Sequence, residues 1–374
     1  MALATRIMGN RAKVRAVRIA VTTTGGAGSA TGNTTSPIIC GQILGVAVNW
    51  HASAPAGTSD ITIEGATSGL DLYTKANAVT DVHKCPSAYG LDAAATALTG
   101  DVTPQRYCIN EGVKVTVAQS DALTNCAIVT ITYRPVRAET VTITTTGGAG
   151  VSAGAASTGA IVGEILGVLI NMHASAPATT DITIAVGGYN LYARSDSAAD
   201  AFAVPVLFGV TNANGALASD VTPQHYCAAG RVTATIAQCD DLAAAAVVTV
   251  FWNPLKAVRI KVTTTGVAGS ATGSAAAQVE GEVVGIGVNC HASLPGTSDI
   301  TIEARDTGLD LWARANSAAD AFVAPRLYGV SNADAALSGN VTPECYAVHD
   351  YVTVSIAQGD ALTDAVVVDV FIRP

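Results

Sequence analysis

The chain repeats itself at domain length. Asn49-Trp50-His51-Ala52-Ser53 returns as Asn171-Met172-His173-Ala174-Ser175 and as Asn289-Cys290-His291-Ala292-Ser293. Val102-Thr103-Pro104 returns as Val221-Thr222-Pro223 and Val341-Thr342-Pro343. Ala118-Gln119 with Asp121 returns as Ala237-Gln238 with Asp240, then as Ala357-Gln358 with Asp360. Copies lie about 118 to 122 residues apart, well beyond the roughly 20–50 residues of a solenoid repeat, so the unit is a whole domain. A unit of this size buries about two thirds of its unfolded surface and can hold a core without metal or disulfide. Tyr133-Arg134-Pro135, Trp252-Asn253-Pro254 and Ile372-Arg373-Pro374 close the copies. They divide the chain into an arm at 1–16 and repeats at 17–135, 136–254 and 255–374. Joints this short, each stiffened by proline, hold neighbours in fixed orientations.

Within a copy the apolar period is two. Val17, Ile19 and Val21 alternate with Arg18 and Ala20; Val113, Val115 and Val117 alternate with Lys114 and Thr116; Val129, Ile131 and Tyr133 alternate with Thr130 and Thr132. Such β-branched alternation is the pattern of half-buried strands. Turn formers separate the runs, among them Thr24-Gly25-Gly26, Ser68-Gly69 and Thr99-Gly100-Asp101. The expected fold is all-β: three tandem antiparallel β-sandwich domains, jelly-roll or immunoglobulin-like. The Ala-rich piece Leu91–Leu98 admits one or two helical turns.

Hydrophobic residues make up 49% of the chain and charged residues only 13%, about half the usual charged share. A surface so weakly charged is poorly protected from self-association, which suits a subunit packed against neighbours. The net charge is −9, yet Arg6, Arg11, Lys13, Arg15 and Arg18 open the chain with no acid among them. Without these five of its twenty bases, the body has fifteen against twenty-nine acids, a net −14. That excludes a basic face able to wrap nucleic acid, and leaves Arg6, Arg11, Lys13 and Arg15 as assembly contacts of the arm. No secretion signal opens the chain, and no apolar run is long enough for a membrane helix. The eight cysteines do not recur as a set, so they read as buried apolar thiols rather than a disulfide framework.

Two repeated constellations could carry chemistry. His51, His173 and His291 are each followed by an aspartate, Asp60, Asp181 and Asp299. No third ligand accompanies them, where zinc takes three or four protein ligands. They read as turn residues, the aspartate bonding turn amides. The second set pairs an aromatic with a base two residues on: Tyr73 with Lys75, Tyr192 with Arg194, and Trp312 with Arg314. That spacing puts both side chains on one strand face. It fits a sugar platform or a cation–π pair at a surface or domain interface; interface or packing is preferred, because sugar sites carry more than one exposed aromatic. No nucleophile–base set recurs. The expectation is a non-enzyme with no cofactor and no metal.

In the third copy Arg259-Ile260-Lys261-Val262-Thr263-Thr264-Thr265-Gly266, Asp299-Ile300-Thr301-Ile302-Glu303, Leu309-Asp310-Leu311-Trp312 and the strand Tyr351 to Gly359 resemble tailed-phage head proteins. These are the capsid decoration or cement proteins, normally single domains. Val113 to Gln119 matches their closing strand in the first copy. The resemblance implies a virion structural protein that adheres to the major capsid protein or to copies of itself, as a homo-oligomer or a lattice-bound pseudo-trimer. It implies assembly in the host cytoplasm. The alternatives are a self-assembling tube, fibre or spike subunit, and a tandem carbohydrate-binding module using Tyr73, Tyr192 and Trp312.

Overall fold

The computed structural model describes residues 14–53, 56–88, 90, 103–210, 222–327 and 343–373. Arg6, Arg11, Lys13 and the Ala-rich piece Leu91–Leu98 lie outside them. Arg15 stands inside the first strand, opposite Tyr133, rather than in the arm. Among the described residues every regular element is a strand, and each strand pair is antiparallel.

The first repeat comprises β1 (Arg15–Val21), β2 (Ala30–Thr35), β3 (Ile39–Trp50), β4 (Asp60–Gly65), β5 (Asp71–Lys75), β6 (Val82–Lys84), β7 (Ser87–Ala88), β8 (Gln105–Arg106), β9 (Cys108–Glu111), β10 (Val113–Ser120) and β11 (Ala127–Pro135). One sheet runs β1-β11-β3-β6, with β9 also on β3; the other runs β2-β10-β4-β5. The second repeat follows after the single residue Val136. It holds β12 (Arg137–Ile143), β13 (Ser152–Met172), β14 (Asp181–Val186), β15 (Tyr189–Arg194), β16 (Ala201–Ala203), β17 (Val206–Leu207), β18 (Gln224–His225), β19 (Cys227–Cys239) and β20 (Ala246–Pro254). The third holds β21 (Lys256–Val262), β22 (Ala271–Cys290), β23 (Asp299–Ala304), β24 (Leu309–Arg314), β25 (Ala321–Val323), β26 (Arg326–Leu327), β27 (Glu344–Gly359) and β28 (Val366–Arg373). Their sheets have the matching orders β12-β20-β13-β19-β14-β15 and β21-β28-β22-β27-β23-β24.

The period-two pattern sets the register. Val17, Ile19 and Val21 lie opposite Ile131, Val129 and Ala127, and Val115 and Val117 lie opposite Ile63 and Ile61. Ile19, Val21, Val46, Val48, Val129 and Ile131 of one sheet meet Ile61, Ile63, Val113, Val115 and Val117 of the other in one core. Each repeat therefore buries the inner faces of two layers against each other. One local difference has a plain cause. β13 and β22 run unbroken through both layers, whereas the first repeat splits that path at Pro37, which lacks the N–H a ladder needs.

The repeated polar residues hold turns. The Ser53, Ser175 and Ser293 amides each donate to Nδ1 of the histidine two residues before, at 3.1 Å. Asp60 accepts from the Asn77 amide at 3.0 Å and the Gln119 side chain at 2.7 Å. Asp181 does the same with Asp196 and Gln238, and Asp299 with Asn316 and Gln358. The bonded residues Asn77, Asp196 and Asn316 have φ near +50°, as do Gln119, Gln238 and Gln358. Asp121, Asp240 and Asp360 receive the Gly28, Gly150 and Gly269 amides, fastening the glycine loop after the first strand of each copy.

A third left-handed position differs between copies: Asn125 and Asp364 have φ of 53° and 49°, while Ala244 is held at 56°. Left-handed backbone costs a residue with a Cβ roughly 1–2 kcal/mol, less for Asn or Asp. Ala244→Asn is expected to stabilise the second repeat by about 0.5–1 kcal/mol, read as a higher urea midpoint at unchanged slope. An unchanged or lower midpoint counts against this strain.

Candidate functional site at the repeat junctions

The most built-up surfaces are those where one repeat meets the next, and the same contact is made twice. Tyr107 of the first repeat places its ring 5.2 Å from Phe202 of the second, which in turn lies 6.4 Å from Phe251. Tyr226, which occupies the Tyr107 position of the second repeat, places its ring 5.2 Å from Phe322 of the third, 6.1 Å from Phe371. Tyr189 adds a ring 5.5 Å from Phe322. Ladder register proves the equivalence: Phe251 pairs with Gly167 and Phe371 with Gly285. The Phe202 and Phe322 rings lie on those glycines, where a Cβ would stand 2.6 Å from Phe202 Cζ and collide likewise with Phe322.

Apolar neighbours complete each contact. Cys108, Leu166, Leu169 and Phe251 form a small buried cluster across the first junction, with Leu70, Val136 and Phe202 against it. Val284, Phe322 and Phe371 of the third repeat join the core of the second. Polar groups then fix the second junction. Arg259 reaches back to the Ala229 carbonyl at 2.7 Å while its other N–H groups bind Asp369 at 2.7 and 2.8 Å. Arg326, 3% exposed, donates to Gln224 Oε1 at 2.8 Å and to the Val284 carbonyl at 2.9 Å. The Val210 amide donates to Ala324 and the Arg326 amide to Val210.

A repeat thus has a tyrosine-bearing face, around Tyr107, Tyr226 or Tyr346 at the start of β9, β19 or β27, and a receiving face on the outside of its first sheet. Two of each are used within the chain. The receiving face of the first repeat carries His83 and Thr132 at the Phe202/Phe322 and Phe251/Phe371 positions. Thr130 and Thr132 are half-buried, where Thr249, Phe251, Asp369 and Phe371 are buried. At the other end Ala347 is exposed, where its counterparts Cys108 and Cys227 are buried. No strand of the third repeat packs substantially on the first among the described residues, so the three form an open series.

His225 sits beside Gln224 and Tyr226 at the second junction. Burial pulls its imidazole below the ordinary histidine value, against the opposing pull of Glu164 and a hydrogen bond with the Ile165 backbone. Its folded value lies below the unfolded one, so the unfolded chain binds more protons between them. Stability from this site is present in full above about pH 6.5 and is lost as the pH falls through the lower folded value. Unfolding at pH 7 and pH 5.5 should show a smaller loss in His225→Gln than in the parent; equal losses would contradict the buried neutral imidazole.

The aromatic–base pairs are placed differently from a surface platform. A register shift between Ile184 and Ala185 breaks the alternation of β15, turning both Leu191 and Tyr192 inward; Tyr192 is 2% exposed. The same shift between Ile302 and Glu303 buries Leu311 and Trp312, both 0% exposed. A β-bulge has this effect on side-chain direction. Tyr73 is half-buried against the first core, and Lys75 is exposed. Burial raises the Tyr192 hydroxyl, with Arg194 opposing it. Arg194 donates to the Ala199 carbonyl at 2.5 Å and Arg314 to the Ala319 carbonyl at 3.4 Å, so both bases brace loops. The described cation–π contact is elsewhere, Arg305 over Tyr351 at 4.6 Å.

Asp81, Asp200 and Asp320 escaped the sequence reading. Each accepts the amide that precedes the repeated histidine, from Trp50, Met172 and Cys290 at 2.7, 2.6 and 2.6 Å. All eight cysteines are free thiols. Burial pushes Cys108 and Cys227 up, and Cys290 up to about 11, so none of these three is a thiolate nucleophile at neutral pH. Among the described residues no group of three or more His, Cys, Asp or Glu side chains could hold a metal ion.

No protein-family model matches the chain, and no curated protein matches it. Among solved structures, one described as "The Triple Jelly Roll Fold and Turret Assembly in an Archaeal Virus" aligns over 96% of this chain and 88% of that one. The identity is 8% and the TM-score 0.18, a likeness too low to carry any argument.

Proposed function

We propose that this chain is a non-enzymatic structural protein of a virus particle, a decoration or cement protein that works by adhesion between protein surfaces. Each repeat, at 17–135, 136–254 and 255–374, is taken as one jelly-roll or immunoglobulin-like sandwich. The observation that carries the reading is the duplicated junction: the developed contacts of this molecule join β-sandwich to β-sandwich, and its repeated polar residues are spent on turns. The strand motifs shared with tailed-phage head proteins supply the particle context. The major capsid protein, or further copies of the chain, is then the partner.

Immunogold electron microscopy on particles from cells that make the chain tests this. Label on the particle surface is expected; label confined to the soluble fraction overturns the reading. Deleting residues 2–13, which removes Arg6, Arg11 and Lys13 and leaves Arg15 in its strand, is expected to lower occupancy on the particle, and full occupancy would dismiss the arm. The open series favours one second reading, a spike or fibre subunit, since units joined head to tail without closing extend in a line. Label restricted to projections from the particle would select it.

A further inference from the structure

From the two unused faces we infer that the chain associates head to tail with a second copy of itself. The third repeat's tyrosine-bearing face receives the outside of the next copy's first sheet. This goes beyond the particle reading and does not depend on it, because it concerns the isolated chain.

The first argument is continuity with contacts the molecule already makes. Arg18 occupies in β1 the position Arg259 occupies in β21, opposite Thr130 as Arg259 is opposite Asp369. Arg259 crosses its junction to the Ala229 carbonyl. The residue at the Ala229 position of the third repeat is His349, so the His349 carbonyl of one copy is the matching acceptor for Arg18 of the next. Shallow concavities flank this strand end on both sides. One is lined by Glu280, Glu282, Ala347, His349 and Arg373, the other by Ala304, Leu309, Ala347 and Asp350.

The second argument is charge. On the outside of the receiving sheet stands Arg18, exposed and opposite Thr130. Arg15 and Lys84 are exposed on the same sheet, opposite Tyr133 and Val46, and its acid, Glu111 of β9, is buried and bonded to Ser68. Asp81 lies just before β6 but is held by the Trp50 amide. The opposite face presents Glu280, Glu282 and Glu344, also exposed. Only loose partners stand by two of them: His349 Nδ1 is 3.4 Å from Glu280 and Arg373 is 3.6 Å from Glu282. Opposite charges at two ends of one molecule favour the head-to-tail pairing and disfavour like ends.

The sequence also sets the strength. The internal junctions use Phe202 and Phe251, or Phe322 and Phe371, as anchors, whereas the receiving face of the first repeat has His83 and Thr132. Without those rings the contact between copies is weaker than the internal ones and is held by exposed charges, which salt screens. Heterologous contacts of this kind generate rings or filaments.

Sedimentation velocity on the full chain tests the inference, in 25 mM and 500 mM salt across a hundredfold range of concentration. Concentration-dependent dimers and longer species are expected in low salt, shifting to monomer in high salt. Arg18→Glu should weaken association about tenfold. Adding Glu280→Lys and Glu282→Lys to that chain reverses both faces and should restore association. All three positions are exposed, and circular dichroism with a melt confirms that each variant is folded. A monomer at every concentration in low salt overturns the proposal. So does association indifferent to salt, or unaffected by Arg18→Glu.

Discussion

Phe322→Ala is expected to uncouple the third repeat from the second. The ring is 7% exposed and lies among Tyr226, Tyr189 and Phe371, with the Gly285 backbone beneath it. Truncating a buried phenylalanine costs about 3–5 kcal/mol, through lost transfer energy and the cavity left behind. The loss falls on a boundary, so it should appear as a change in cooperativity as well as in midpoint. Denaturant unfolding followed by hydrogen exchange should show the third repeat opening before the second in the variant. His83→Ala, at the equivalent exposed position of the first repeat, serves as the control and should change stability by less than about 0.5 kcal/mol. If both substitutions behave alike, the aromatic junction is not what joins the repeats.

The second large effect is expected at a glycine. Gly32, Gly154 and Gly273 sit where the edge of one layer presses on the end of the first strand in the other, against Thr22, Thr144 and Thr263. A Cβ at Gly273 would overlap the Thr263 carbonyl oxygen and stand 3.0 Å from its carbon and 3.1 Å from Thr264 Cα. Main chain cannot swing aside as a side chain can, so the layers would have to separate. Gly273→Ala is expected to destabilise the third repeat by about 3 kcal/mol, near the upper end of the usual range for overpacking. Gly230→Ala is the contrast, because nothing lies within 4 Å of its added Cβ. Equal midpoints for the two variants would show that the layers are not in contact there.

The strands were legible because each inner face must alternate. Val17, Ile19 and Val21 announce their side of the core before any partner is known, and Asp60 before Ile61 announces a turn that the structure then shows. The junctions were not legible in the same way, because recurrence was the guide and the junctions are marked by its failure. All five phenylalanines, Phe202, Phe208, Phe251, Phe322 and Phe371, lie beyond residue 200. The first repeat has His83 and Thr132 at the two junction positions, so comparison of the copies gave no sign of a contact there. Burying the outside of a sheet requires a neighbour, and no periodicity within one strand contains that neighbour. The core positions of Tyr192 and Trp312, read as interface or packing residues, were hidden for a related reason. Their bulges break the alternation that would have placed them outside, and a bulge is set by the partner strand as much as by the strand itself.

The most direct test of the whole description is the shape of a single molecule in solution. Negative-stain electron microscopy in 500 mM salt, where contacts between copies are screened, should show open three-lobed bodies with the first and third lobes apart. A closed triangle in which all three lobes touch would contradict the open series of junctions, and with it the two unused faces on which assembly depends.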